Sequence, residues 1–240
     1  MFKKALGKLK SVTRKNYARF QARKAIRAGM FKDIDLPALK ALREKFDDHQ
    51  YRKYQDRFEH SLIRNAERVF TLELQKSKGL RILDIGCGFG YFMVGARHLG
   101  HHPVGLDLSD PYFNEVTRIL GLEKVVHRIE PFQSLPDLPG GPFNLVAGFA
   151  IMFDNAGYPG QWTVKEWKPF LRDLRRFMAP GCLLHFKFNQ YTGPGTKTGI
   201  GCRTVTTELW DFFHKLGGKF DKRTMQIHDA PARLAEITVD

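Results

Sequence analysis

The residues best spaced for chemistry in this 240-residue chain are Leu83-Asp84-Ile85-Gly86-Cys87-Gly88-Phe89-Gly90. Arg81 to Ile85 is an apolar run of strand length that carries one acid and runs into glycines at alternate positions. Glycine tolerates positive φ and leaves bare backbone for a ligand to lie against. Tyr91 to Leu99 then has helical spacing, with Phe92, Ala96 and Leu99 on one face and Gly100 as a stop. Free amides at such a helix start favour a ligand with anionic or acceptor groups. A dinucleotide fingerprint, G-x-G-x-x-G, sets its third glycine one position later than here. Asp107 ends a second apolar run, Pro103 to Asp107, and lies 23 residues after Asp84. That is close to the ~20-residue offset of a carboxylate that binds ribose hydroxyls. Two vicinal hydroxyls need an acceptor pair, which a carboxylate supplies. The plainer reading of Asp107 is a strand-end acid capping the next turn.

With the acid two residues before the first glycine, the octet Leu83 to Gly90 resembles the cofactor-binding motif of class I S-adenosylmethionine-dependent methyltransferases. The resemblance covers about residues 78–240. It implies an α/β fold: a Rossmann-like, seven-stranded, mostly parallel sheet with helices on both faces, closed by an antiparallel final strand. It implies S-adenosyl-L-methionine as cofactor, with Asp84, Gly86, Cys87, Gly88, Phe89, Gly90 and Asp107 around it and Leu108 packing on the adenine. Pro131 stands where the family usually carries a polar residue for the adenine amine, so Glu130, Gln133 or a backbone group takes that bond, and Phe132 stacks on the ring. Phe149, in a fourth strand over 143–150, joins the cofactor contacts. Asn144 replaces a common aspartate there, and Cys182 a common glycine. Such proteins often carry a leading helical segment over the pocket, so Tyr51, Tyr54 and Arg57 are candidates near the methionine end. The alternative is the wet face of a helix junction.

For catalysis, Asp154 follows the fourth strand, where the family often places a group facing the substrate. A carboxylate there could take the proton of a hydroxyl acceptor. Asn155 and Tyr158 would orient that acceptor. Asp154-Asn155-Ala156-Gly157 also has simple turn composition. His185 is the reserve base, although its alternation with Lys187 reads as a rim position. Trp162 to Phe170 and the long loop 189–203, rich in Gly, Thr and Pro, would wall or cover a substrate pocket. His98, His101 and His102 have no further ligand at metal spacing.

These residues need elements to hold them. Strands are expected at 81–85, 103–107, 125–129, 143–150 and 183–188, with a closing hairpin of 224–228 against 234–239 around Pro231. Helices are expected after Asp35-Leu36-Pro37, over Phe58 to Leu74 with Leu62, Ala66, Val69 and Phe70 on one side, and over Glu208 to Leu216. The chain divides into a basic arm (1–30), a helical segment (31–79) and the main domain (80–240).

Of the net charge of +14, +10 falls within residues 1–30, which hold ten bases and no acid, leaving +4 for the other 210 residues. Phe2, Leu6, Leu9, Tyr17 and Phe20 recur among those bases at helical spacings. This pattern suits a basic amphipathic helix on an anionic membrane surface or acidic partner, a solvated arm, or, less well, a nucleic-acid grip. No apolar run approaches a membrane span and no signal peptide is evident. Three separated cysteines point to a reducing, cytoplasmic setting, with peripheral attachment at the inner membrane surface through the arm. The expected acceptor is a hydroxyl of a glycan, lipid-linked or other small molecule. RNA or protein methylation and a non-catalytic cofactor-binding scaffold are the alternatives.

Overall fold

Helix signals in the first third of the chain are local and mostly realised as such. The computed structural model describes residues 2–151, 153, 162–188 and 206–238. It resolves into two compact units: Met1–Gly79 with Phe89–Pro103 and Asp110–Glu123, and Leu80–Gly88 with Val104–Ser109 and Lys124–Asp240. The first unit is helical. It holds α1 (Phe2–Arg27), α2 (Leu36–Lys45), α3 (Lys53–Asp56), α4 (Phe58–Thr71), a 3₁₀ turn (Leu74–Lys76), α5 (Tyr91–His98) and α6 (Pro111–Ile119). Asp35 caps α2 by accepting the Ala38 N–H at 2.9 Å, with Pro37 in the first turn where no N–H is needed. Asp110 and Pro111 start α6 in the same way. The α4 face Leu62, Ala66, Val69 and Phe70 is buried as its spacing predicts. Leu39, Leu42 and Leu62 share a core with Phe89, Tyr91, Val94, Tyr112 and Val116.

The arm is only partly free. Ala18 and Ala22 of α1 are buried with Met30, Ala66 and Phe70, and Arg19 pairs with Glu67 at 2.8 Å. Tyr17 and Phe20, part of the apolar spacing read in the sequence, are exposed. The helix therefore docks through its alanines, because small side chains let two backbones approach closely.

The second unit contains a seven-stranded sheet of β1 (Arg81–Ile85), β2 (His102–Asp107), β3 (Lys124–Val126), β4 (Phe143–Ile151), β5 (Met178–Phe188), β6 (Lys219–Asp221) and β7 (Thr224–Ile227). Their order is β3-β2-β1-β4-β5-β7-β6. Pairs β1–β4, β2–β3 and β4–β5 are parallel, while β7 runs antiparallel to both β5 and β6. This is the Rossmann-like, mostly parallel sheet with an antiparallel last strand that was expected. Helices α7 (Val164–Arg175), α8 (Thr207–Lys215) and α9 (Ala230–Leu234) complete the unit.

Three expectations are corrected. The hairpin pairs 219–221 with 224–227, not 224–228 with 234–239. Its turn uses Lys222 at φ 55, without the Gly or Asn that normally marks such a turn. Pro231 lies in the first turn of α9 and Leu234 is a buried helix residue, so that segment supplies no strand. The third strand stops at Val126, although His127 still donates its N–H to Asp107 O at 2.8 Å. The fifth strand begins at Met178, five residues early. A bulge absorbs the difference, since β5 advances from Met178 to Leu183 while β4 moves only from Phe143 to Leu145.

The aromatic run expected to wall a pocket is core instead. Trp162, Trp167 and Phe170 are buried with Phe153 and Phe186, and the Phe153 and Trp167 ring centroids lie 4.4 Å apart. The period of α7 puts Trp167, Phe170, Leu171 and Leu174 on one face, which the sheet-side core absorbs.

Candidate functional site

The ends of β1 and β2 in the second unit carry the sequence-predicted residues. Asp84 is buried, at 2 % exposure, within the apolar strand β1. After Ile85, Gly86 takes φ 66 and Gly88 φ 54, left-handed conformations that favour glycine. The turn is tied to β2 twice. Gly86 N–H donates to Leu106 O at 2.7 Å, and Gly88 N–H donates to Asp107 Oδ2 at 2.6 Å. Asp107 Oδ1 accepts the Leu108 N–H at 2.8 Å. The carboxylate thus caps its own turn and clamps the glycine turn in place. A carboxylate has about four lone-pair sites, so accepting two backbone N–H groups is compatible with accepting hydroxyls as well.

The space over Gly88 is open: a Cβ placed there would meet nothing within 4 Å. Bare backbone and a half-buried carboxylate therefore adjoin open space at the ends of two neighbouring strands. Leu108 follows at 42 % exposure, an apolar side chain left uncovered. Cys87 stands between the two glycines. Burial pushes its thiol well above the ordinary range, the Asp84 and Asp107 carboxylates push it further, and Lys124 offsets only part.

The remaining candidates fall in separate places. Past β3, half-buried Glu130 accepts from Gln133 Nε2 at 2.7 Å. Phe132 is 60 % exposed at φ 62, with the Lys165 ammonium 5.9 Å from its ring centroid. A non-glycine residue held in that conformation with its ring in solvent is strained, a condition that collects at ligand sites. Phe149, in β4, is half-buried with its ring 5.4 Å from that of His185. His185 is buried, correcting the rim position read from the alternation of β5. The strand β7 lies beside β5 in the sheet and places Gln226 opposite His185. With the Gln226 amide donating to Nδ1 at 3.0 Å, the ring proton belongs on Nε2. Asp154, Asn155, Tyr158 and the loop 189–203 lie outside the described residues.

Tyr54, Phe89 and Gly90 belong to the first unit. Tyr54 stands edge-on to Phe89 and stacks on Tyr51, each at 6.1 Å between centroids, and Arg57 is exposed. Gly90, at φ 74, is the N-cap of α5, and a Cβ there would sit 2.3 Å from Leu122 Cδ1. A polar cluster in this unit escaped the sequence reading. His49 Nε2 lies 3.1 Å from Asp110 Oδ2, and Tyr112 Oη donates to Gln55 Oε1 at 2.6 Å. Burial pushes the Tyr112 hydroxyl up to about 12. Asp110-Pro111 was readable as a helix start, but nothing in the sequence joined it to His49. His101 is buried and donates from Nε2 to Leu74 O at 3.0 Å, a satisfied core histidine. Among the described residues no group of three or more His, Cys, Asp or Glu is placed to hold a metal ion.

No family model matches the chain. No curated protein matches it either. Solved structures similar to it include an S-adenosylmethionine-bound amino pentose methyltransferase of calicheamicin biosynthesis from Micromonospora echinaspora, at 23 % identity over 55 % of this chain and 51 % of that one, with a TM-score of 0.39. A second is an S-adenosylmethionine-dependent methyltransferase from Mesorhizobium loti, at 22 % identity over 50 % and 53 %, with a TM-score of 0.38. A third, from Aquifex aeolicus, is also an S-adenosylmethionine-dependent methyltransferase, at 19 % identity over 68 % and 87 %, with a TM-score of 0.42. The chain spans about half the length of the first two.

Proposed function

We propose that this chain is a class I S-adenosylmethionine-dependent methyltransferase. The observation that carries the reading is the clamp between Asp107 and the glycine turn, which leaves carboxylate and bare backbone beside open space at the ends of β1 and β2. The residues fit the cofactor. Asp107 suits the ribose hydroxyls, Gly86, Cys87 and Gly88 offer backbone close to the ligand, and Leu108 and Phe132 offer apolar surface to the adenine. Asp84, Glu130 and Phe149 are the other members of the expected set in the second unit. When bound, the sulfonium supplies an electrophilic methyl group.

The protein's part is to hold an acceptor atom in line with that methyl at about 3 Å and to accept its proton if it has one. A bound cofactor would supply the methyl group to an acceptor oxygen, and the chain's own part would be to take that oxygen's proton on a carboxylate. We assign that carboxylate to Asp154, three residues beyond β4. His185 suits the role less well, because its Nδ1 lone pair already accepts from Gln226. A hydroxyl of a glycan, lipid-linked or other small molecule is the favoured acceptor.

The test is incubation of the protein with methyl-labelled S-adenosylmethionine and fractionated cell extract. Label in a glycan, lipid or small-molecule fraction supports the reading. Label in RNA or protein moves the acceptor to those classes, and failure to bind the cofactor by calorimetry overturns the assignment. Single-turnover transfer by Asp154→Asn tests the base: near-normal transfer at unchanged cofactor affinity removes Asp154 from the chemistry.

A further inference from the structure

The face of α1 that points away from its buried alanines is not used by the methyl-transfer reading. Its orientation within the first unit is set from the other side, where Ala18 and Ala22 are buried against Ala66 and Phe70 and Arg19 pairs with Glu67. At about 100° per residue, the positions diametrically opposite that stripe are Phe20, Arg23 and Arg27, flanked by Tyr17 and Lys24. All five are exposed, Phe20 at 64 % and Tyr17 at 52 %. In the sequence Phe2, Leu6 and Leu9 precede Phe20 by 18, 14 and 11 residues, close to whole numbers of helical turns.

We infer that this outer face of α1 is a docking surface for an anionic lipid bilayer, with the helix lying in the plane of the interface. Two features choose lipid over other polyanions. Residues 1–30 carry ten bases and no acid, which complements an anionic leaflet. The outer face sets three of those bases, Arg23, Lys24 and Arg27, beside the exposed rings of Tyr17 and Phe20. A bilayer interface takes up both, burying the apolar groups at the acyl boundary and leaving the cations among the headgroups. A nucleic-acid backbone would reward the charges but offers nothing to leucine. The alanine side completes the division, since it fixes the helix to the first unit through Ala18, Ala22 and the Arg19–Glu67 pair and leaves Phe20, Arg23 and Arg27 out of that contact. Among the described residues no helix is long and apolar enough to cross a membrane, so the contact is at the surface. The inference is independent of the methyl-transfer reading.

The experiment is co-sedimentation of the full chain with vesicles of phosphatidylserine in phosphatidylcholine, against phosphatidylcholine alone. The chain should pellet with the anionic vesicles and partition roughly tenfold less onto neutral ones. Binding should weaken with salt, as screening requires. Tyr17→Ser/Phe20→Ser should lower partitioning roughly tenfold. Arg23→Gln/Lys24→Gln/Arg27→Gln should lower it on anionic vesicles and flatten the salt dependence. Thermal unfolding of both variants should match the parent, because the altered side chains are exposed. Failure to pellet, parental binding by both folded variants, or a preference for polyuridylate RNA with vesicles ignored would each overturn the inference.

Discussion

Replacing Asp107 by alanine separates a ligand-binding carboxylate from a mere turn cap. In the folded protein its two oxygens accept the Gly88 and Leu108 N–H groups at 2.6 and 2.8 Å. Those groups sit at a half-buried loop, where water can replace the lost acceptors, so the stability cost should stay near 1 kcal/mol. Ribose hydroxyls held by this carboxylate would lose their acceptor outright. Each charge-assisted bond to the carboxylate is worth about 1.5–3 kcal/mol. Loss of one weakens the cofactor at least roughly tenfold, and loss of two, about 3 kcal/mol at the low end, roughly 150-fold. Asp107→Asn should also bind poorly, since one of its polar atoms becomes a donor facing a backbone N–H. Calorimetric titration with S-adenosylmethionine and S-adenosylhomocysteine reads the effect, with thermal unfolding run alongside. A folded Asp107→Ala protein that binds within about twofold of the parent would refute the ribose assignment and leave Asp107 as a structural cap.

Gly88→Ala and Gly90→Ala should separate binding from stability. A Cβ at Gly88 projects into open space, so beyond a left-handed backbone cost of about 1–2 kcal/mol the loss should appear in cofactor affinity by calorimetry. At Gly90 a Cβ would collide with Leu122 Cδ1 as well, so denaturant unfolding should show the larger stability loss of the two. Ala22→Leu, at a fully buried position of α1, should cost about 1–3 kcal/mol in denaturant unfolding by overpacking against the helical core, and an unchanged midpoint would argue that α1 is not docked. Burial lowers the His101 pKa below 6.5, with a bond to Leu74 O opposing. The unfolded chain then binds more protons than the folded one as pH falls through about 6.5, so this residue's contribution is present above that pH and diminishes below it. Thermal unfolding followed between about pH 7.5 and 5.5 should show a shallower decline for His101→Gln, which keeps a donor for Leu74 O but does not titrate.

What the sequence determined by itself is whatever neighbouring residues decide. The glycine turn requires positive φ at Gly86, Gly88 and Gly90, and the chain carries the residue that tolerates it at each. Asp35 and Asp110 cap helices from within three residues, and the apolar period of α4 selects its buried face without outside help. The alternation of strand and helix was enough to anticipate a doubly wound sheet, its seven-stranded and mostly parallel form was implied by the resemblance, and the bond from Gly88 to Asp107 emerged only in the structure. Tertiary structure decided what depends on partners distant in sequence. Whether His185 stood at a rim or in the interior turned on β7, 41 residues away, whose Gln226 lies opposite it. The partner of Thr224–Ile227 turned on an unmarked Lys222-Arg223 turn, and Trp162 and Trp167 became core only when β5 and α8 closed over them. His49 and Asp110, 61 residues apart, carry no local sign of one another. The two-sidedness of α1 follows the same logic: its spacing displays an apolar stripe, but which stripe meets the protein and which meets solvent was settled by the fit of Ala18 and Ala22 against Ala66, because close approach of two helices rewards small side chains over large ones.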